Sequence, residues 1–170
     1  MKIRFLTLTL LTIFLVSVSR ADDWRFGSMS IEWFDGYQKT PNDTAARFVG
    51  PNGEIVLVTA AGLRAGGDIE KVVKSYLAFG ESELPQLSAS KGRDVIQLRR
   101  EDLAGSVTLF STAAVQKKDK HKFYLQFFAV SRLGRCALIT VEGHGDPTDE
   151  MKRFRPLFDT ISWRENEKRG

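Results

Sequence analysis

Cysteine and histidine are nearly absent from this sequence: Cys136 is the single thiol, and His121 and His144 are the two imidazoles. One cysteine excludes an intramolecular disulfide, so the fold has to rest on its core, and the 149 residues beyond position 21 suffice for that. Cys136 opens the run CALITV, where a thiol acts as a small buried hydrophobe. Two histidines leave little material for nucleophilic catalysis. His121 stands among lysines at 117–122, a solvated hairpin tip by composition, and there is no G-x-S-x-G elbow for a serine nucleophile. No apolar run reaches the ~20 residues of a bilayer-spanning helix. A charge surplus is lacking too. Of 25 Lys and Arg against 21 Asp and Glu, three basic residues (Lys2, Arg4 and Arg20) lie in the first 21 positions, and 22 against 21 remain. So balanced a domain has no electrostatic footprint for nucleic acid.

What is present begins with an export signal. Lys2 and Arg4 precede a 14-residue apolar or hydroxylated stretch at 5–18, and Ser19-Arg20-Ala21 puts small residues at −3 and −1 of a cleavage point. Asp22-Asp23 follow at once, as expected of a cleaved leader with no stable membrane insertion afterwards. The expected organisation is a signal peptide over 1–21, a single α+β domain over 22–163 and a polar tail over 164–170. Export with a single cysteine, and none near the cleavage point for lipid attachment, points to a bacterial periplasm. Asn42-Asp43-Thr44 is then a polar turn.

The densest apolar pattern runs over 122–142 as KFYLQFFAVS-RLGR-CALITVE, two strands joined at Leu133-Gly134. Both faces are apolar, so the pair belongs at the centre of a sheet covered on both sides. Met29, Ile31 and Trp33 alternate as a half-buried strand. Residues 45–49 and 54–59 form a hairpin around Asn52-Gly53, whose residues tolerate the positive φ of tight turns. Asp68 caps a helix carrying Ile69, Val72, Val73, Tyr76 and Leu77 on one face, with Gly80 as its stop and a polar connection to Gly92. Strands over 95–100 and 106–115 lead to the central pair. Asp146-Pro147 starts a last helix with Met151, Phe154, Leu157, Phe158 and Ile161 inward, restarted near Arg155 by Pro156. Two helices on opposite faces of an antiparallel sheet of about six to seven strands make an α+β fold.

Candidate chemistry is sparse. Glu142-Gly143-His144-Gly145-Asp146 has residue types for a divalent metal or a His–Asp base, but it lacks a third spaced ligand, and Asp146 has capping work to do. The loop Gly62-Leu63-Arg64-Ala65-Gly66-Gly67 precedes a helix start yet lacks the lysine and hydroxyl of a phosphate loop. Trp24, Phe26, Trp33, Phe34 and Tyr37 exceed what a core requires. Strand alternation sends Trp33 and Phe34 to opposite faces, making Trp33 core and Phe34 a partly exposed anchor. Trp33, Phe34 and Tyr37 are therefore candidate partner-contact residues, as are Lys118 and Lys120 at the basic tip.

The order of elements resembles the PsbP-like fold family, which includes extrinsic photosystem subunits, nuclear-transport cofactors of the Mog type and bacterial DcrB-like envelope proteins. The residues carrying the likeness are Trp33-Phe34-Asp35-Gly36-Tyr37, Gly53 with the strand to Thr59, Tyr76-Leu77, and the ending Phe158-Asp159-Thr160-Ile161-Ser162-Trp163. The resemblance implies an α/β/α sandwich and binding or assembly roles, with no shared catalytic residues, metal or cofactor. The expected function is a non-catalytic periplasmic protein-binding or envelope-assembly module, with another protein as partner. The alternatives are an immunity protein against a toxin delivered to the periplasm, a small hydrolase or metal-dependent enzyme using His144, and an apolar-ligand carrier.

Overall fold

The computed structural model describes residues 22–40, 45–62 and 67–164. The leader, the turn at 41–44, the loop around Arg64 and the tail beyond Arg164 lie outside the described residues. Seven antiparallel strands form the main sheet in the order β3-β4-β5-β9-β8-β7-β6. They are β3 (Gln38–Thr40), β4 (Ala46–Val49), β5 (Ile55–Ala61), β6 (Arg93–Leu103), β7 (Val107–Gln116), β8 (Asp119–Ser131) and β9 (Cys136–His144). The doubly apolar pair sits at the centre as β8 and β9, turned at Gly134 with φ 71°.

Side-chain alternation divides the core in two. On one face Phe123, Leu125, Phe127, Ile139 and Val141 meet α3 (Pro147–Phe154), a 3₁₀ turn (Arg155–Thr160) and a second, three-stranded sheet. That small sheet consists of β1 (Asp22–Phe26), β2 (Met29–Trp33) and β10 (Ser162–Trp163), in the order β1-β2-β10. On the other face Phe110, Phe128, Val130 and Cys136 meet α1 (Ile69–Ala78) and α2 (Leu84–Ser90), joined by a π turn over Phe79–Glu83. Helical layers on both faces of a seven-stranded sheet give the expected α+β sandwich.

Three local expectations need correction. Met29, Ile31 and Trp33 are a strand, but one of the small sheet, where they pair with a β1 not expected at all. Gly80 does not stop the helix. Its φ is not positive, and it is glycine because a Cβ there would lie 2.5 Å from the Phe110 ring. The chain instead runs through the π turn into α2, so the supposed polar connection is helical, with Pro85 in the first turn, where a missing N–H costs nothing. Gly143 likewise serves close packing, since a Cβ there would sit 2.7 Å from Phe123 Cζ. Near Pro156, α3 gives way to the 3₁₀ turn after Phe154, at the expected place.

Candidate functional site

The aromatic excess of the N-terminal segment assembles at one end of the first core face. Trp24 stacks on Trp33 at 4.3 Å between ring centroids and on Phe48, while Tyr37 meets Trp33 edge-on at 6.0 Å. Strand β2 ends at Trp33, so alternation does not continue to Phe34. Both rings touch the same partner, Phe154, at 5.8 and 5.7 Å. Trp33 is fully buried, Tyr37 is 7% exposed and Phe34 is half-buried, which leaves Phe34 as the member of the trio with an outward edge.

Beneath this cluster lies a polar network that sequence reasoning missed. Glu54 is 3% exposed, and its carboxylate accepts hydrogen bonds from Arg153 Nη1 at 2.9 Å, the Asn52 backbone N–H at 3.0 Å and Asn52 Nδ2 at 3.2 Å. Arg153 also donates to Glu150 at 3.0 Å and to the Tyr37 hydroxyl at 3.3 Å, and its guanidinium lies 5.2 Å from the Phe34 ring centroid. Burial pushes the Glu54 carboxyl upward, but the donated hydrogen bonds outweigh it and hold the group below the usual carboxylate range. Burial, with Glu54 adding to it, pushes the Tyr37 phenol up to about 12. Gly50 makes room, because a Cβ there would fall 2.5 Å from Glu54 Oε2. The available signal was one carboxylate set between an Asn-Gly turn and an interior strand.

With this geometry in view, comparison with solved structures is informative about the fold. Cyanobacterial PsbP (CyanoP) from Synechocystis superposes over 91% of this chain and 99% of its own, with a TM-score of 0.57 at 12% identity. A point mutant of Mog1 superposes over 86% and 97%, with a TM-score of 0.51 at 10% identity. The fold is PsbP-like. No protein-family profile matches the sequence, and no curated protein does.

The PsbP-like frame scatters the other nominated residues. Lys117 and Lys118 form the turn between β7 and β8, and Lys118 is exposed. Lys120 is tied to Asp94 by a 2.5 Å ion pair. This turn leaves from the end of the sheet where Ile55, Glu142 and Tyr124 lie side by side, the end that also carries Glu54. His144 is exposed, with Nε2 3.5 Å from Asp119. Asp146 accepts the backbone N–H groups of Thr148 and Asp149 at 2.8 and 3.0 Å as the cap of α3. Glu142, His144 and Asp146 therefore do not converge, and among the described residues no three acidic, Cys or His side chains form a metal-sized group. Asp68 caps α1 through Lys71 N at 3.2 Å. Cys136 is 8% exposed, and burial raises its thiol above the usual range.

Proposed function

We propose that this chain is a non-catalytic protein-binding module of the bacterial periplasm whose contact face centres on Phe34 and Arg153. The observation that carries the proposal is the fixed pairing of these two side chains. Arg153 is held from below by a buried carboxylate, and Phe34 is held from behind by Phe154 and Trp33, so both present outward surface already in place. Aromatic and arginine side chains that need no further ordering supply binding energy at low entropic cost. Lys118 is exposed at the same end of the sheet. Titratable groups here do structural work: Glu54 holds Arg153, Glu101 holds Arg155 in a bidentate pair at 2.7 and 3.1 Å, and Asp146 caps a helix. Export is supported by the leader pattern. Because β1 begins at Asp22, cleavage after Ala21 leaves every described strand whole.

The test is capture from periplasmic extract with wild-type and Phe34→Ala protein. A partner held by the wild type should bind the variant less tightly by about 2 kcal/mol, with little change in melting temperature. Equal capture by both proteins, or a variant as unstable as Trp33→Ala, removes Phe34 from the contact face. A toxin among the captured proteins selects the immunity reading, and an envelope component selects assembly. The intact mass of the exported protein should correspond to a start at Asp22.

A further inference from the structure

The helical layer covers one face of the main sheet only in part. Among the described residues its main packing is on β6, β7 and β8, and the same face of β5 and β9 is only partly covered. Four rows of side chains cross that strip, Ala61 beside the buried Cys136, Thr59 beside Leu138, Leu57 beside Thr140 and Ile55 beside Glu142. Leu57 is 37% exposed, an unusual position for a leucine inside a seven-stranded sheet. The rows create a groove with two ends of different chemistry. One end, about 390 Å³, is apolar, walled by Tyr76 and Phe79 from the helices and by Phe128 and Leu138 from the sheet. The other, about 180 Å³, is lined by Arg93, Lys91, Tyr124 and Glu142. Both depressions use alternate residues of β9, Cys136 and Leu138 in one and Thr140 and Glu142 in the other, so together they run roughly 20 Å at ~3.3 Å per residue.

The polar end is electropositive. The Arg93 guanidinium lies 3.3 Å over the Tyr124 ring, and its Nε has no hydrogen-bond partner among the described residues. Lys91 stands at the end of α2, and Lys122 sits 5.4 Å from the Tyr124 ring. Three cations face one carboxylate, Glu142. Glu83, by contrast, borders the apolar end, so an anionic head is drawn to Arg93 and repelled from the opposite end. Glu83 just before α2, Leu87 within it and Lys91 just after it, four residues apart, put the 38%-exposed Leu87 between the two ends.

We propose that this groove binds a single-chain fatty acid, with its carboxylate at Arg93 and Lys91 and its alkyl chain along Leu57, Leu138 and Phe128. A planar guanidinium lining the groove suits a carboxylate. A strip one strand pair wide suits one acyl chain. This site lies on the opposite face of the sheet from Phe34 and does not depend on the protein-contact proposal.

The probe is palmitate, titrated calorimetrically into purified protein below its aggregation threshold, with hexadecanol as the uncharged analogue. Cys136 in the groove floor serves as reporter, because a bound chain shields its thiol. Palmitate should bind and slow Cys136 labelling. Arg93→Gln should weaken palmitate by about tenfold and leave hexadecanol within about twofold. Lys91→Gln, an exposed change, repeats the comparison should Arg93→Gln fail to fold. Leu138→Gln should weaken both ligands. Failure of palmitate to bind, Cys136 labelling at an unchanged rate, equal loss of both ligands in the Arg93 and Lys91 variants, or binding to phosphatidylglycerol vesicles without binding to palmitate each overturns the proposal.

Discussion

Arg153 decides whether the Glu54 carboxylate can remain charged inside the protein. With Arg153 present, Glu54 titrates below its unfolded value of about 4.3, so its contribution to stability is complete above that pH and is lost as the pH falls through the folded pKa. In Arg153→Met the strongest of the hydrogen bonds that offset burial is gone, so the folded pKa rises and protonation costs the native state less. The variant should therefore lose about 3 kcal/mol near pH 7, toward the low end for breaking a buried pair because a third of the Arg153 side chain is exposed. Its deficit should shrink as the pH is lowered toward 4. Urea midpoints measured at pH 7 and pH 4 check both magnitude and sign, and a deficit that grows in acid would contradict the assignment. Asp146 and His144 separate a capping role from a chemical one. Asp146→Ala should cost ~0.5–2 kcal/mol through the two backbone N–H groups it leaves unpaired. His144→Ala should change the unfolding midpoint little and leave partner capture intact, and a His144→Ala variant of wild-type stability that loses capture would reinstate a functional imidazole.

Among the elements, Gly80 shows how one residue type carries two meanings. A glycine after a helical pattern reads as a stop, with the positive φ that makes Gly→Ala costly, whereas at an uncrowded helical position with negative φ the same change stabilises by roughly 0.5–1 kcal/mol. Here the glycine lets the π turn press on Phe110, so Gly80→Ala should destabilise by about 1–3 kcal/mol through overpacking. A neutral or stabilising change in thermal or urea unfolding would show that the Phe110 ring leaves room for a Cβ. Elements with strong periodic patterns were legible from sequence: β8, β9, α1, α3 and the restart at Pro156 all follow from local spacing. Less legible were elements whose reason is tertiary. Strand β1 has only the five residues Asp-Asp-Trp-Arg-Phe to announce it, and β10 has two residues; both exist because β2 offers them backbone partners. Helix α2 is polar in sequence and is held by Leu84 in the core and by Ser88, which donates to the buried Gln126. In the site, the exposed edge of Phe34 could be anticipated from its place at a turn. The Arg153–Glu54 pair could not, since the two residues lie 99 positions apart and no local pattern links them.

Across the whole molecule, burial is uneven in a way that predicts where the native state opens first. Strand β8 has an unbroken run of buried side chains from Phe123 to Ser131, β7 flanks it with nearly as many, and β9 alternates buried and half-buried positions. Helix α1 contains no buried residue: Ile69 is 45% exposed, and Tyr76 and Leu77 only border the second core. Ten residues of helix are too few to hold together in water without tertiary support. What supports α1 is the packing of Tyr76 and Phe79 on Phe128 and its continuation into the π turn. Its backbone should therefore unfold locally at a free energy well below that of the global transition, while β8 and β9 exchange only when the whole domain unfolds. Native-state hydrogen exchange at increasing low urea measures this directly. The amides of α1 should exchange with little dependence on urea, and those of β8 and β9 with the full dependence expected from exposing the core. Equal protection of α1 and β8 would mean that the helical layer and the sheet form one cooperative unit. The same experiment with palmitate present joins this expectation to the groove. If α1 forms one wall of the acyl site through Tyr76, its opening releases the ligand as global unfolding does, so palmitate should slow exchange in α1 and in β8 by the same factor, and protection of β8 without α1 would place α1 outside the site.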